Sequence, residues 1–488
     1  MQNLVRTLSK LRESVLFLYV IAFLVSCSNS SSEENSIAFK ELTGEYALSV
    51  ATLPGYRIEV VETDGDLFLV PIEQAPEKLI QNSQGEFRLE QSPSITVSFN
   101  ADENDAIAEL QITNLFGTRY YKRLALLEPE SENLYSDQVS NLGRSFYNVP
   151  EDLNDGLSSN TLESISTKPA LIYRLLANLE QGFFGNVNSL LIVKNGELIV
   201  ERYFNDWSQE QTHQLRSVSK SVTSLLIGSA LDQGYIDSID DPIGKYLPDH
   251  SELLSGGKEN IRLKDLLTMS AGLSWDQLSV DYANTENINQ HVEQSNDSVA
   301  FVLSRDLVNA PGDVFSYSDG YAYVAGEILR NATDSGSVQA YIENSVLSQL
   351  SFGPTPWLRL ADGRQATAFG LQLRPRDLAK IGTLILNDGQ WRGSILLSEN
   401  WISESTAPHI STSSSLWENY GYFWWGTEFQ VGGDSYHADL AEGFGGQYIV
   451  VVDALDLVVV STAENFNFPY QSVMSDIMRK LIIPAFRP

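Results

Sequence analysis

The amino-acid sequence predicts a multidomain fold in which a small antiparallel β-barrel-like module precedes an α+β domain. The 488 residues leave room for two or three domains, and a hydrophobic fraction of 43% is enough for substantial cores. Short alternating apolar runs fill residues 38–126, whereas strands and helices are mixed in residues 166–488. In the second part we expect one antiparallel sheet flanked by helices, together with a separate helical lobe.

Residues 1–26 have the pattern of a secretory signal peptide. A basic start leads into an apolar run over residues 15–23, which is too short to favour a membrane span. The tetrapeptide Leu24-Val25-Ser26-Cys27 resembles the lipobox of bacterial lipoproteins, which implies cleavage before Cys27 and attachment of a lipid to its sulfur. A plain signal anchor with an incidental thiol is the alternative. Residues 27–37 are rich in Ser, Asn and Glu and predict a flexible tether.

The lipobox resemblance implies a location in the bacterial cell envelope. The lipid on Cys27 would hold the protein to a membrane at the periplasmic face, with the outer membrane as the expected one. The net charge is −31, and about −33 beyond the first 26 residues, so nucleic acid is not an expected partner. The five histidines are scattered without metal-ligand spacing, and we expect neither a metal nor a cofactor.

Residues 38–126 predict an antiparallel meander that closes into a small barrel. Apolar and polar residues alternate in four runs, and turn-forming residues separate them. The runs are 57–61, 66–70, 94–99 and 109–112. The segment resembles the lipocalin-like β modules attached to some serine hydrolases, on the basis of 42–46, 67–71, Phe87, Phe99 and 102–103. Ligand binding, docking and simple spacing all stay open as its role.

Residues 127–165 are polar and irregular and predict a linker. The α+β domain then occupies 166–488. It begins with a hairpin over 189–201 that turns at Asn195-Gly196, and it contains a helix-rich insertion over about 240–400. Strands at 447–453 and 457–461 and a helix from about 470 to 483 close the chain. A cleft between sheet and helical lobe would be a natural active site.

The first chemical element is the sequence Ser217-Val218-Ser219-Lys220 at the start of an apolar helix. A spacing of three residues places Ser217 and Lys220 on one helix face, where the lysine can act as the base that the serine needs. The helix N-terminus also favours developing negative charge. A second match, Ser255-Gly256-Gly257-Lys258, has no apolar helix behind it and predicts a loop.

The second element is Tyr317, which follows Pro311-Gly312 on a short loop and precedes Ser318-Asp319-Gly320. A tyrosine beside an ammonium group can carry protons. A packing role for this aromatic ring is the alternative. The third element is the glycine-rich run 443–447, which by itself is also compatible with an ordinary tight turn.

The order and rough spacing of these three elements resemble those of the serine β-lactamase and penicillin-binding-protein superfamily. The most similar branch is the class C-like one, which holds esterases and 6-aminohexanoate-dimer hydrolases. Further matching stretches are 265–273, 370–380, 391–393 and 420–425. The resemblance implies a β-lactamase/transpeptidase-like fold over 166–488.

Carried over by position, the resemblance implies the roles of four residues. Ser217 is the nucleophile, Lys220 takes its proton, and Tyr317 relays a proton to the leaving group and then activates water. The backbone N–H groups of Ser217 and Phe444 form the oxyanion hole. Further candidate residues of the substrate pocket are Asp319, Glu442, Gly443, Gly445, Gly446 and Trp424. Trp424 and its aromatic neighbours are equally compatible with a place in the core.

Two positions depart from the family pattern. Asp319 stands where many β-lactamases have asparagine, and it can either pair with Lys220 or cap the following helix. Ala441-Glu442-Gly443 stands where β-lactamases have Lys-Thr-Gly or His-Thr-Gly, whose cation helps to bind the substrate carboxylate. A glutamate there would repel such a carboxylate, which disfavours penicillins and D-Ala-D-Ala peptides.

The predicted function is therefore hydrolysis of small neutral or cationic esters or amides through an acyl-enzyme on Ser217. One alternative is a β-lactamase or D,D-carboxypeptidase. The other is a catalytically inactive binding protein of the envelope, an alternative that Asp319 keeps open.

Overall fold

The computed structural model describes residues 44–48, 57–63, 65–71, 77–82, 86–90, 95–101, 107–114, 117–123, 137–182, 184–280, 282, 284–412, 414, 416–466 and 470–487. The predicted signal peptide, Cys27 and the tether 27–37 lie outside these residues, so the lipid anchor stays a prediction. Within the described residues, no helix has both the length and the apolar character that crossing a bilayer requires.

The first part of the described chain is a closed antiparallel barrel. Its strands pair in chain order, and the last pairs with the first. The strands are β1 (Gly44–Leu48), β2 (Arg57–Thr63), β3 (Asp66–Pro71), β4 (Glu77–Gln81), β5 (Phe87–Leu89), β6 (Thr96–Ala101), β7 (Ile107–Asn114) and β8 (Gly117–Arg123). Alternate residues such as Leu67, Leu69, Val97 and Leu110 are buried, as expected where one face of each strand lines the interior. The predicted β-barrel-like module is confirmed.

The strands of the second part begin at residue 158. They are β9 (Ser158–Ser159), β10 (Val187–Lys194), β11 (Glu197–Tyr203), β12 (His213–Gln214), β13 (Gln372–Leu373), β14 (Gln390–Trp391), β15 (Ser394–Ile395), β16 (Ile410–Ser411), β17 (Asn419–Tyr420), β18 (Trp425–Val431), β19 (Asp434–Gly443), β20 (Gln447–Val452) and β21 (Leu457–Ala463). The main sheet has the order β16-β17-β18-β19-β20-β21-β10-β11-β9. It is antiparallel except for the β9–β11 pair.

The helices of the second part surround this sheet and build a lobe beside it. They are α1 (Asp137–Phe146), α2 (Leu162–Ile165), α3 (Pro169–Glu180), α4 (Val218–Asp232), α5 (Leu263–Leu267), α6 (Ile288–Glu293), α7 (Ser298–Leu303), α8 (Asp319–Thr333), α9 (Val338–Asn344), α10 (Pro375–Leu386), α11 (Glu399–Thr406), α12 (Tyr470–Ile477) and α13 (Ile483–Phe486). A π-helical segment, Met478–Ile482, joins the last two. Short 3₁₀ helices lie at Ile243–Lys245, Pro248–Leu253, Lys258–Asn260, Val346–Leu350 and Asp453–Leu455. The α+β, β-lactamase/transpeptidase-like fold is confirmed by this arrangement.

Different helices cover the two faces of the main sheet. Ala441, Ile449 and Val460 pair across neighbouring strands and share the face that packs on α4 and α10. The residues next to them, Glu442 and Tyr448, therefore point to the opposite face, which α3 and α12 cover. This alternation fixes which residues of β19 can face the start of α4.

The segment predicted as a linker, 127–165, is not uniformly irregular. Its residues 137–146 form helix α1, which packs against α3 so closely that a Cβ on Gly143 would lie 1.6 Å from the carbonyl oxygen of Tyr173. Residues Ser158–Ser159 join the edge of the main sheet beside β11. The polar composition of this stretch concealed both contacts, since each depends on partners distant in the sequence.

Candidate active site

Ser217 lies at the turn that leads into α4, and its side chain is half-buried. The residue before it, Arg216, has φ of 51°. This left-handed conformation costs a non-glycine residue about 1 kcal/mol or more, and such strain is common where the chain must present a functional group. Helix α4 behind the turn is buried on all sides, so it gives the serine a rigid base.

Lys220 lies one turn into α4, and only 1% of it is exposed. Its Nζ lies 2.9 Å from Ser217 Oγ and donates to the carbonyl oxygen of Ala368 at 3.0 Å. The third neighbour is Asp319, whose Oδ1 lies 2.7 Å from Nζ in a buried ion pair. The serine and lysine of the predicted motif are therefore in direct contact.

Tyr317 lies next to this pair. The ammonium of Lys220 is 4.9 Å from the centre of its ring, and Trp425 stacks on the ring at 5.7 Å. Burial raises the pKa of the Tyr317 hydroxyl, and the charge of Asp319 raises it further, whereas Lys220 and Ser217 act in the opposite direction; the net effect is a raised pKa. Tyr317 is thus a neutral phenol at physiological pH that can donate a proton.

Asp319 pairs with the lysine and does not cap the helix. The N-cap of α8 is Ser318, whose Oγ accepts the N–H of Tyr321 at 3.3 Å. The second oxygen of Asp319 accepts Asn289 Nδ2 at 3.1 Å, and its backbone N–H donates to Gln277 Oε1 at 2.7 Å. Burial lowers the pKa of Lys220, but Asp319 and Tyr317 outweigh burial, and the net pKa is raised.

The run 443–447 forms the tight connection between β19 and β20. Gly443 approaches the nucleophile turn so closely that a Cβ there would lie 2.3 Å from the carbonyl oxygen of Leu215. Gly445 and Gly446 have φ of 87° and 100°, which favours glycine at both positions. Within the described residues, the backbone N–H groups of Ser217 and Phe444 make no hydrogen bond. Both amides are therefore available to an oxyanion.

Two residues predicted for the pocket lie elsewhere. Trp424 has 0% exposure and belongs to the hydrophobic core, so its placement in the pocket is wrong; the adjacent Trp425 is the one that contacts Tyr317. Glu442 points to the sheet face under α12, where Gln471 Nε2 donates to its Oε1 at 2.6 Å. It cannot repel a substrate beside Ser217 in the way predicted. Burial raises the pKa of Glu442 to about 7.

Several site residues carried no recognisable signal in the sequence. Asn289 and Gln277 hold Asp319 from the helical lobe. Tyr282, from the same lobe, accepts a hydrogen bond from Gln277 and stacks on Phe444 at 6.2 Å. No motif marks these residues, because long-range packing of the lobe against α8 brings them to the site.

The second serine–lysine match forms no comparable site. Ser255 is exposed on a loop, and Lys258 Nζ donates instead to the carbonyl oxygen of Leu303 at 2.7 Å. Within the described residues, no group of histidine, cysteine, aspartate and glutamate side chains is placed to hold a metal ion.

This fold, with a serine, a lysine and a tyrosine in contact at the start of α4, is that of a β-lactamase-like protein. The family profile described as Beta-lactamase matches residues 185–471, which is more than half of the chain, and the chain belongs to that family.

Similar proteins include hydrolases and penicillin-binding-protein homologues. A 6-aminohexanoate-dimer hydrolase from Paenarthrobacter ureafaciens is 23% identical over 305 residues, covering 56% of this chain and 71% of its own. Protein flp from Staphylococcus aureus strain N315 is 26% identical over 194 residues, and this match spans only 38% of each protein. The octameric penicillin-binding protein homologue from Pyrococcus abyssi has a similar fold, with a TM-score of 0.50, 19% identity and coverage of 64% of this chain and 76% of its own.

Proposed function

We propose that this hydrolase cleaves small esters or amides through an acyl-enzyme on Ser217. The observation that carries the proposal is the buried amino group of Lys220, which lies 2.9 Å from Ser217 Oγ and beside Tyr317. A serine hydroxyl needs such a neighbour, because it is a poor nucleophile when unassisted. Attack on the carbonyl carbon would place the developing oxyanion at the N–H groups of Ser217 and Phe444.

The proposal gives each of the three side chains a role. Ser217 forms the acyl bond, and Lys220 receives the hydroxyl proton. Tyr317 donates its proton to the departing alcohol or amine, and in the second half of the reaction it takes a proton from the attacking water. Proton transfers of this kind typically contribute 10²- to 10⁴-fold in rate.

The proposed substrates lack a carboxylate beside the scissile bond. Ala441 stands where the β-lactamase branch has a cation, and it is an apolar residue buried against α4. The positive charge of Arg216, next to Ser217 in the chain, is opposed by the nearby carboxylate of Glu293. The likeness to a 6-aminohexanoate-dimer hydrolase favours the inclusion of amides.

Turnover of p-nitrophenyl acetate, p-nitrophenyl butyrate and short anilides by the full chain in detergent tests this function. Ser217→Ala should reduce turnover by at least about 10³-fold, since removal of a catalytic serine leaves only the rate supplied by binding and the oxyanion hole. Ser255→Ala, at the exposed second match, should leave turnover unchanged. Hydrolysis that survives Ser217→Ala would remove Ser217 from the mechanism. A folded wild-type protein without any turnover would instead favour the inactive binding protein.

A further inference from the structure

We propose that Asp319 is the proton acceptor behind Lys220, so that Ser217, Lys220 and Asp319 form a proton relay in which the lysine stays an ammonium. The inference rests on the proposed function, and it assigns a part in the chemistry to a residue that replaces the asparagine of many β-lactamases. The observation behind it is the position of one carboxylate oxygen, Asp319 Oδ1, beside Lys220 Nζ.

The neighbours of Lys220 match an ammonium group. Three hydrogens on Nζ face three oxygens, namely Ser217 Oγ at 2.9 Å, the Ala368 carbonyl at 3.0 Å and Asp319 Oδ1 at 2.7 Å. A neutral amine could accept the hydrogen of the Ser217 hydroxyl, but it would leave the buried charge of Asp319 without an ionic partner. The ion pair therefore favours the ammonium form, which has no lone pair for a general base.

The pair is enclosed by protein. The side chains of Lys220 and Asp319 are 1% and 5% exposed, and charges at such depth persist only when they are paired. Asp319 Oδ2 is fixed by Asn289, whose own N–H donates to Asn287 Oδ1 at 2.9 Å. Asp319 Oδ1 lies 2.7 Å from Nζ and forms the ion pair with it. This carboxylate oxygen is therefore placed to take a proton from the ammonium.

The acylation step follows from this geometry. As Ser217 Oγ bonds to the carbonyl carbon and the C=O π electrons move to oxygen, the Oγ proton passes to Nζ. A different proton passes from Nζ to Asp319 Oδ1. Lys220 keeps its positive charge next to the oxyanion, and Asp319 becomes a neutral carboxylic acid. When the C=O bond re-forms and the leaving group departs, Tyr317 gives it a proton and becomes a phenolate. In the second half of the reaction Tyr317 takes a proton from the attacking water, and Asp319 returns its proton through Lys220 to Ser217 Oγ as the acyl bond breaks, which restores the starting charges.

Other titratable groups also face Asp319. Their ionisation decides at which pH values kcat/KM is expected to change. These groups are Lys220 on α4, Tyr317 on the loop before α8, Tyr282 on a loop of the helical lobe, Glu293 on α6, Tyr323 on α8 and Tyr420 on β17. The tyrosines are neutral across the acidic and neutral range, because their pKa values are all raised. Burial raises the pKa of Glu293 to about 7. The Glu293→Gln variant is therefore needed to separate the pH dependence that is due to Glu293 from the one that is due to the relay.

The relay differs from direct catalysis by a neutral lysine in its pH dependence. With Asp319 as acceptor, the active form is the charged pair, in which Lys220 does not have to lose a proton first. Without the carboxylate, Lys220 must lose its proton before it can act as a base. The substitution Asp319→Asn therefore converts one mechanism into the other. The fold has room for it, since Asn289 Oδ1 lacks a hydrogen-bond partner within the described residues and can accept the new amide N–H.

The test is the pH profile of kcat/KM for p-nitrophenyl acetate with the wild-type full chain, Asp319→Asn and Glu293→Gln. We expect Asp319→Asn to shift the acidic limb of the kcat/KM profile to higher pH by about two units or more. At pH 5.5 its kcat/KM should be at least about tenfold below that of wild type, and near pH 9 this loss should be partly recovered. Asp377→Asn is the matched control, since Asp377 is equally buried beside Lys380 and lies outside the site. The acidic limb of the kcat/KM profile should stay at the wild-type pH in this variant.

An unchanged acidic limb in Asp319→Asn, or higher activity than wild type at every pH, would overturn the relay. A structural effect of the substitution would lower kcat/KM equally at all pH values, which also contradicts it. Failure of the proposed function would have a different appearance, because the wild-type chain itself would then show no turnover.

Discussion

Two buried lysines, Lys220 on α4 and Lys380 on α10, have similar ionic partners and different further neighbours. Their side chains are 1% and 0% exposed. Lys220 pairs with Asp319, and Lys380 pairs with Asp155 at 3.3 Å and lies 3.7 Å from Asp377. Each also donates to a backbone carbonyl, that of Ala368 or of Ser351. A buried lysine with a carboxylate partner is thus not by itself a sign of catalysis.

The difference between the two lysines is the third neighbour. Lys220 faces the hydroxyl of the half-buried Ser217, and the backbone N–H groups of Ser217 and Phe444 make no hydrogen bond in the part of the chain that the structure describes. Lys380 is instead enclosed by a network in which Arg376 joins Glu201 and Asp155 and ties α10 to the sheet. We infer that the same ionic arrangement stabilises the fold at one position and activates a nucleophile at the other.

The substitution Lys220→Met is expected to have the largest effect on turnover. It removes the group that receives the serine proton, so turnover per folded molecule should fall by about 10³-fold. The free energy of unfolding should also fall, because Asp319 loses its partner. Initial rates with p-nitrophenyl acetate, normalised to the folded fraction from circular dichroism, measure the first effect. Turnover within tenfold of wild type would remove Lys220 from the chemistry.

Lys380→Met should have only the structural effect. Removing one partner of a buried ion pair typically costs about 3–5 kcal/mol, and the lower value is expected here because Arg374 still pairs with Asp377 at 3.0 Å. Urea unfolding followed by tryptophan fluorescence gives the loss. Turnover per folded molecule should match wild type, and a specific loss of turnover would break the distinction between the two lysines.

Glu442 provides a third case, a buried charge without an ionic partner. Burial raises the pKa of Glu442 to about 7, above the value of about 4.3 expected in the unfolded chain. The native state binds this proton more tightly, so the free energy of unfolding falls as pH rises between these values, by up to roughly 3 kcal/mol. Glu442→Gln keeps the contact with Gln471 and should be more stable than wild type at pH 8 but not at pH 4. Equal stability of the two proteins at pH 8 would contradict this account.

Local sequence patterns predicted the elements whose partners lie close in the chain. The hairpin turn at Asn195-Gly196 has φ values of 54° and 77°, which its composition favours. The helix spacing of Ser217 and Lys220 was likewise sufficient to predict their contact. The resemblance to a known family then located Tyr317 and the run 443–447, which are distant in sequence.

The incorrect predictions all concern side-chain direction or long-range packing. Trp424 and Trp425 are adjacent, and composition does not tell which of them faces Tyr317. Alternation along β19 sends Ala441 and Glu442 to opposite faces, but the sequence does not say which face meets α4. Asn289 and Gln277 reach Asp319 only because the lobe folds against α8.

The most direct test of the central claim is mass spectrometry of the full chain, folded in detergent, after exposure to a fluorophosphonate probe. This probe reacts with serine hydroxyls that have been activated by their surroundings. We expect one adduct, on the peptide that contains Ser217, and its loss in Ser217→Ala but not in Ser255→Ala. An adduct on another serine, or no adduct on the folded wild-type chain, would contradict the claim that Ser217 is an activated nucleophile.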